Sequence, residues 1–348
     1  MSIPSRHFSQ KHNHSAFGTQ LSVLFRTGVK MVTPCITNKR WAYAALGLAV
    51  IIISSSSIMT RYAQAAGVSS LSIAAIRLAL ASVMLTPFAF ARSSREIRAL
   101  SRRDLLLGIA SGSLLAAHFA TWISSLAYTS VASSTALVTT NPIWIAAASV
   151  MLFHERIRKG LIAAIGFALC GSVLIFLADG GSASAQPDPP LGNTLALIGS
   201  LAVSGYLLIG RALRRRLSLL AYVWLVYTSA AIALVVVALI AQEPLWGFSP
   251  VAWAFLLALA LGPQLMGHTV FNWALKQVSA TFIALAILGE PVGSAILALM
   301  LFDEGFSRLQ IAGFVLLLGG IYLGARSEHG DGSGAGAKPC APQKSANA

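Results

Sequence analysis

Ten apolar stretches of about twenty residues follow one another along the chain, separated by short polar breaks. They cover 41–60, 71–91, 105–126, 131–153, 160–178, 191–211, 218–241, 249–275, 279–302 and 307–325. A helix rises about 1.5 Å per residue, so about 20 apolar residues cross a hydrocarbon core of roughly 30 Å. A membrane barrel would instead show segments of alternating polarity, and the chain has no such alternation. The pattern predicts an all-α integral membrane protein with ten transmembrane helices. Residues 1–40 and 327–348 read as disordered polar tails, and 179–190, rich in Gly, Ser, Ala, Pro and Asp, as an external linker. The first apolar run is a full span starting near Trp41 rather than a signal peptide, and Met31 is an alternative start.

The stretch from Leu126 to Glu155 returns 149 positions later as Leu275 to Glu304. Leu126, Ser130, Pro142, Ala146, Met151, Leu152, Phe153 and Glu155 meet Leu275, Ser279, Pro291, Ala295, Met300, Leu301, Phe302 and Glu304 without a gap. Each copy is an apolar run with a proline in its middle and an acid at its end. The repeat divides the membrane region into 41–178 and 191–326, five spans each. An odd number of spans makes the second copy enter the membrane from the opposite side, so the halves are predicted to be inverted.

Composition removes the soluble alternative. The chain is 56% hydrophobic and 10% charged, whereas a soluble domain carries about 25% charged residues. The net charge of +14 would suit a nucleic-acid partner, but its distribution argues against one. With the N-terminus cytoplasmic and ten spans, 22 of the 25 basic residues fall on the cytoplasmic side; Arg61 and Arg308 fall outside and Arg77 within a span. The basic runs therefore read as topology signals with both termini inside. Cys35, Cys170 and Cys340 have no metal or disulfide spacing.

The candidate chemistry lies inside the spans. Ser54–Ser57 imply a face turned to protein or water, or plain interhelical bonding. Arg77 either snorkels to the interface or pairs inside. His118 and Trp122 share one face of a helix. Pro142, after Thr139, Thr140 and Asn141, and Pro291, after Glu290, are expected to break spans four and nine, and Gly262-Pro263 to break span eight. Gln264, His268 and Asn272 make span eight polar, and span six carries Ser204 and Tyr206. Glu290 is a mid-membrane carboxylate, hence a functional candidate or a structural acid held by a partner such as Arg77. His154-Glu155 opens like HExxH, but Arg158 stands where the second His is needed. Gly320 and Gly324 form a GxxxG pair that reads as close packing within the bundle.

These residues resemble the drug/metabolite transporter superfamily, specifically EamA-type permeases, over about residues 41–326. Ser54 to Arg61 resembles the family's first-span stretch, with Ile53-Ser54 where Trp-Gly is usual. Ile76-Arg77-Leu78 resembles the second-span arginine. Leu126-Ala-Tyr-Thr-Ser130, Pro142 and Glu155 resemble the first repeat core. Gly192-Asn-Thr-Leu-Ala196 through Tyr206 and Arg211 resembles span six, and Asn272-Trp-Ala-Leu275, Glu290-Pro291, Glu304 and Gly313 the second repeat. The resemblance implies two EamA repeats in a bacterial inner-membrane carrier of amino acids, other small metabolites or toxic compounds, often moved outward. Asn141 opposite Glu290 makes the halves chemically unequal.

The reading that follows is alternating access around a central cavity lined by Arg77, His118, Trp122, Asn141, Tyr206, His268, Asn272 and Glu290. The partners expected are a small-molecule substrate and the lipid bilayer, with no nucleic acid. Glu290 permits proton coupling without requiring it. No nucleotide loop GxxxxGK[ST] is present and no cofactor or metal is implied. The alternatives are an intramembrane transferase-type enzyme, for which clustered acids such as DDxxD are missing, and a non-transporting scaffold, which has no need of opposed halves.

Overall fold

The computed structural model describes residues 39–129, 131–153, 159–178, 187–302 and 307–329. The tails to either side, with Cys35 and Cys340, lie outside the described residues, as do Ser130, His154, Glu155, Arg156, Arg158, Glu304 and most of the 179–190 linker.

Every described element is a helix: α1 Lys39–Ala65, α2 Ser70–Arg98, α3 Arg102–Tyr128, α4 Val131–Val138, α5 Asn141–Phe153, α6 Lys159–Ala178, α7 Pro189–Leu213 and α8 Leu219–Ile240. Then come α9 Pro250–Leu259, a π-helix at Ala260–His268, α10 Thr269–Ala274, α11 Ala280–Ile287, α12 Glu290–Phe302 and α13 Arg308–His329. All ten apolar stretches are thus helical where described, and among the described residues seven helical stretches are long and apolar enough to cross a membrane, one of them, Ala280–Leu297, running through α11 into α12. Of the other three stretches, 131–153 is divided into α4 and α5, and two form the shorter apolar helices Lys159–Leu174 and Ile311–Ser327. Large apolar side chains such as Ile51, Val83, Leu106, Leu201, Ile232 and Met300 point outward. Such faces suit lipid, because a water-soluble protein would expose them as aggregation-prone patches.

The polar breaks act as helix caps. Ser69, Ser101, Asp188, Ser218, Ser249 and Ser279 each accept the backbone N–H three residues on, at 3.0–3.3 Å. A free amide at a helix start in an apolar medium has few other partners. Prolines follow at the start of α7 and α9, where no N–H is needed.

The three proline breaks behave differently from one another. In spans four and nine the helix is interrupted just ahead of the proline, at Thr139-Thr140 and Leu288-Gly289. Pro142 and Pro291 therefore sit in a first turn, where a missing N–H costs little. The Thr139 and Thr140 hydroxyls donate to the carbonyls of Thr135 and Leu137 at 2.6 and 2.7 Å, so the end of α4 keeps its partners. Span eight stays helical through Pro263 by widening into the π-helix. The caps Ser101 and Ser249 are 148 positions apart, whereas Leu126 and Leu275 at the other end are 149 apart. The second copy thus carries one extra residue in this helix, and i→i+5 bonds take it up by enclosing one more residue than i→i+4 bonds.

The halves pack in exchangeable pairs. α3 lies along α7, and its counterpart pair is α1 along α9, the π-helix and α10. The pairs α2–α8 and α6–α13 map onto themselves. The correspondence reaches single atoms. Gln64 Nε2 donates to the Ile123 carbonyl at 3.2 Å, and Arg214 Nε, 150 positions after Gln64, donates to the Asn272 carbonyl at 3.1 Å, 149 after Ile123. Between α6 and α13, a Cβ on Gly171 would stand 2.6 Å from the Gly313 oxygen, and one on Gly320 would stand 2.7 Å from the Ala164 oxygen. Gly324 faces Leu285 and Ala164, so the GxxxG pair packs inside the bundle.

This contact yields a stability prediction. Gly320→Val forces the α6 backbone away and is expected to lower the melting temperature in detergent, at a cost of about 1–3 kcal/mol or more. Gly319→Val, with nothing within 4 Å of its Cβ, should melt close to the parent. Equal melting of the two variants would refute the close approach.

Candidate functional site

The two broken helices meet at one level of the bundle, and a cavity lies between their breaks. Its walls are Ile53 and Ser56 of α1, His118 and Trp122 of α3, and Val138, Thr139 and Asn141 at the first break. Val203 of α7, His268 of the π-helix, Phe271 of α10, and Ile287 and Glu290 at the second break complete it. About 30 Å³ is open to the centre of a water molecule. A water needs roughly 10–15 Å³ by that measure, so the space holds about two waters and no organic molecule.

Five of the residues singled out in the sequence line this space: His118, Trp122, Asn141, His268 and Glu290. The other three are fully buried one layer behind it. Tyr206 donates its hydroxyl to Asn272 Oδ1 at 2.7 Å, and Asn272 Nδ2 donates to the His268 carbonyl at 2.9 Å. Arg77 donates from Nη1 to Ser56 Oγ at 2.9 Å and from Nε to Gln264 Oε1 at 3.0 Å. Its guanidinium lies over the Phe119 ring, 4.3 Å from the centroid. Arg77 therefore does not snorkel; α2 carries it inward, and neutral dipoles with one aromatic face solvate it. It makes no ion pair with Glu290 within 4.0 Å; a pair of that range forms at the surface instead, between Arg216 and Asp104.

The serine run of α1 divides its work. Ser56 solvates Arg77. Ser55 donates within its own helix to Ile52 at 2.7 Å. Ser54 shares its proton between the Val50 carbonyl at 2.7 Å and the Glu290 carbonyl at 3.3 Å, while Ser294 donates to the Ser54 carbonyl at 2.9 Å. Ser204, 150 positions after Ser54, does the same in the other half, bonding the Ser200 carbonyl at 2.7 Å and the Asn141 carbonyl at 3.4 Å. One serine from each half thus holds the residue in front of the other half's proline, and so sets Asn141 and Glu290 at the cavity wall.

Aromatic rings form the rest of the wall. His118 stacks parallel on Trp122, with centroids 6.0 Å apart, and Phe119 meets His268 edge-on at 5.2 Å. His118 Nδ1 lies 2.9 Å from the Gly199 carbonyl, which only accepts, so Nδ1 carries the proton. Four buried polar atoms here lack a hydrogen-bond partner: Arg77 Nη2, Trp122 Nε1, Asn141 Oδ1 and Gln264 Nε2. Buried polar atoms are nearly always bonded. Trp122 Nε1, a donor, and Asn141 Oδ1, an acceptor, belong to residues of the cavity wall and are spare binding capacity for a polar solute, while Arg77 Nη2 and Gln264 Nε2 lie behind it. Among the described residues no three His, Cys, Asp or Glu come together as a metal site.

Sequence reasoning gave no role here to Thr139, Gln264, Phe119 or Phe271. Gln264 and Thr139 had a signal, because each is a polar residue beside a mid-membrane proline. Phe119 and Phe271 had none, since an aromatic residue in an apolar helix carries no mark of what it faces.

Known proteins share this architecture. The model of the EamA-like transporter family matches residues 40–177 and 190–325. The "Uncharacterized transporter YetK" of Bacillus subtilis (strain 168) is 24% identical over 291 residues, 83% of this chain and 88% of its own. A protein crystal structure matches with a TM-score of 0.66 at 19% identity, covering 84% of this chain and 99% of its own, which is a likeness of fold.

The solvation of Arg77 can be tested directly. Gln264→Leu leaves a buried guanidinium N–H without its acceptor, a loss of about 1–3 kcal/mol. Arg77→Lys cannot reach Ser56 and Gln264 in the same forked geometry. Both should lower the melting temperature in detergent by several degrees more than Arg92→Lys, an exposed position. Parent-like melting of both would show that these bonds do not hold the bundle.

Proposed function

Because the chain belongs to the EamA-like transporter family, we propose that it carries small organic solutes across a bacterial inner membrane by alternating access. The cavity between the two proline breaks is its binding site. Ten spans form two inverted five-helix repeats, 41–178 and 191–326, with both termini cytoplasmic. The halves rock about the cavity, which opens to one side of the membrane and then to the other. The solutes are amino acids, other small metabolites or drugs, and the direction is export.

One observation carries this reading: polar and aromatic residues from both halves converge on one small cavity at the level of the two proline breaks. Interrupted helices at the interface of two repeats are where secondary transporters bind their cargo. The exchangeable packing of α1, α3 and α7 with the π-containing span supports the inverted arrangement. The basic residues Arg92, Arg95, Arg98, Arg102, Arg215 and Arg216, all exposed and at one end of the bundle, support the orientation. The cavity holds about two waters by the measure above, so it must widen to admit a solute.

Glu290 is assigned the proton. It is buried, lines the cavity and has no ion-pair partner within 4.0 Å among the described residues, so its charge is free to change with the solute. Arg77 is then the fixed cation of the site and Glu290 its variable anion.

Uptake into proteoliposomes of a panel of amino acids, nucleosides and cationic drugs, with and without a pH gradient, tests the reading. The expected result is uptake of one compound class that a gradient accelerates, with the gradient response lost in Glu290→Gln while gradient-independent exchange remains. Unchanged gradient dependence in Glu290→Gln would remove the proton role. No uptake of any compound by folded protein would remove the transport reading.

A further inference from the structure

We propose that the Thr129–Asn193 hydrogen bond and the Tyr43–Phe282 ring contact are the two gates of the cavity, one at each end, and that weakening either one opens the cavity from its own end. The inference rests on the alternating-access reading and assigns its moving contacts.

Both contacts join one half of the chain to the other. Thr129 caps the end of α3, and its Oγ1 donates to Asn193 Oδ1 in the first turn of α7 at 3.0 Å. The Asp188 N–H reaches the Tyr128 carbonyl beside it at 3.4 Å. At the opposite end, Tyr43 near the start of α1 meets Phe282 near the start of α11 edge-on, with centroids 5.2 Å apart. The halves cannot separate at either end while its contact stands.

One residue of each contact occupies an equivalent place. Tyr43 and Asn193 are 150 positions apart, the spacing that relates Ser54 to Ser204 and Gln64 to Arg214. On α1, Tyr43 lies ten residues from cavity-lining Ile53; on α7, Asn193 lies ten residues from cavity-lining Val203. At 1.5 Å per residue each gate is about 15 Å along its helix from the cavity. The chemistry differs, polar at the Thr129 end and aromatic at the Tyr43 end, so the gates can be weakened separately.

The ties within each half are distinct from the gates. Gln64 to the Ile123 carbonyl and Arg214 to the Asn272 carbonyl hold each half together. They need not break when the halves rock. One hydrogen bond or one aromatic pair is worth a few-fold to about tenfold in a population. Contacts of that size close an end without locking it.

The test measures access to the cavity from each side. Cys35, Cys170 and Cys340 are replaced by Ser, and Val138→Cys at the cavity wall serves as reporter. A membrane-impermeant thiol reagent is then applied to each face of oriented vesicles. Asn193→Ala should raise the labelling rate several-fold from the Thr129 end, and Tyr43→Ala should raise it several-fold from the Tyr43 end. Tyr43→Phe keeps the ring and should label like the parent. Thr129→Val breaks the same bond as Asn193→Ala with almost no change in volume, so it stands in if Asn193→Ala does not fold. Labelling unchanged in Thr129→Val and Tyr43→Ala, or raised from the same end in both, would overturn the gates. Unchanged labelling with intact uptake removes the gates and leaves the transport reading; end-specific labelling without uptake of any compound supports the gates and removes the transport reading.

Discussion

In hydrocarbon a backbone N–H or C=O has no water to fall back on, so each must find its partner inside the protein. That constraint makes every described element a helix, and it governs what happens where a helix fails. The chain meets it at the first break with its own threonines, which bond the last carbonyls of α4. It also draws on the other half: Ser54 reaches the Glu290 carbonyl and Ser204 reaches the Asn141 carbonyl. These bonds, at the residues just ahead of the prolines, are thus a means of joining the halves. The residues so joined, Asn141 and Glu290, are the ones that face the cavity.

Arg77 meets the same constraint with a charge. A buried cation needs either an anion or several oriented dipoles, and here it has Ser56, Gln264 and the face of Phe119. Solvating the guanidinium with neutral groups leaves the Glu290 carboxylate outside any ion pair with Arg77. Had the two closed on each other, the cavity would have lost its carboxylate to a fixed strut. The unbonded Trp122 Nε1 and Asn141 Oδ1 in its wall keep the space polar.

The halves repeat each other in packing and differ in chemistry. Thr140 bonds Ser200, whereas the equivalent place holds Gly289 against Val50. Asn141 stands where the second half has Glu290, and Asn193, the counterpart of Tyr43, makes a polar contact where Tyr43 makes an aromatic one. The π-helix is the largest departure, taking up one extra residue in the second half and turning Gln264 toward Arg77. Repeated packing keeps two conformations close in energy, while unequal side chains give each side of the membrane its own contacts.

Most of the fold was legible in the sequence. Run length and hydropathy depend on the bilayer, a solvent of known thickness, so they mark the helices without knowledge of the partners. The repeat and the positions of Pro142, Pro263 and Pro291 marked where helices would be disturbed. They did not show that two helices would break just ahead of the proline and that the third would widen. The site was only half legible. A polar residue in hydrocarbon is costly wherever it sits, which singled out Arg77, His118, Asn141, His268 and Glu290 from residue type and place alone. What each one touches was decided only by the tertiary structure. That Arg77 rests on Phe119 and Gln264 rather than on Glu290, that Tyr206 and Asn272 stand behind the wall, and that Phe271 belongs to it all depend on which helix faces lie together. An apolar helix looks alike on the face toward lipid and the face toward its neighbour, so its sequence alone does not say which is which.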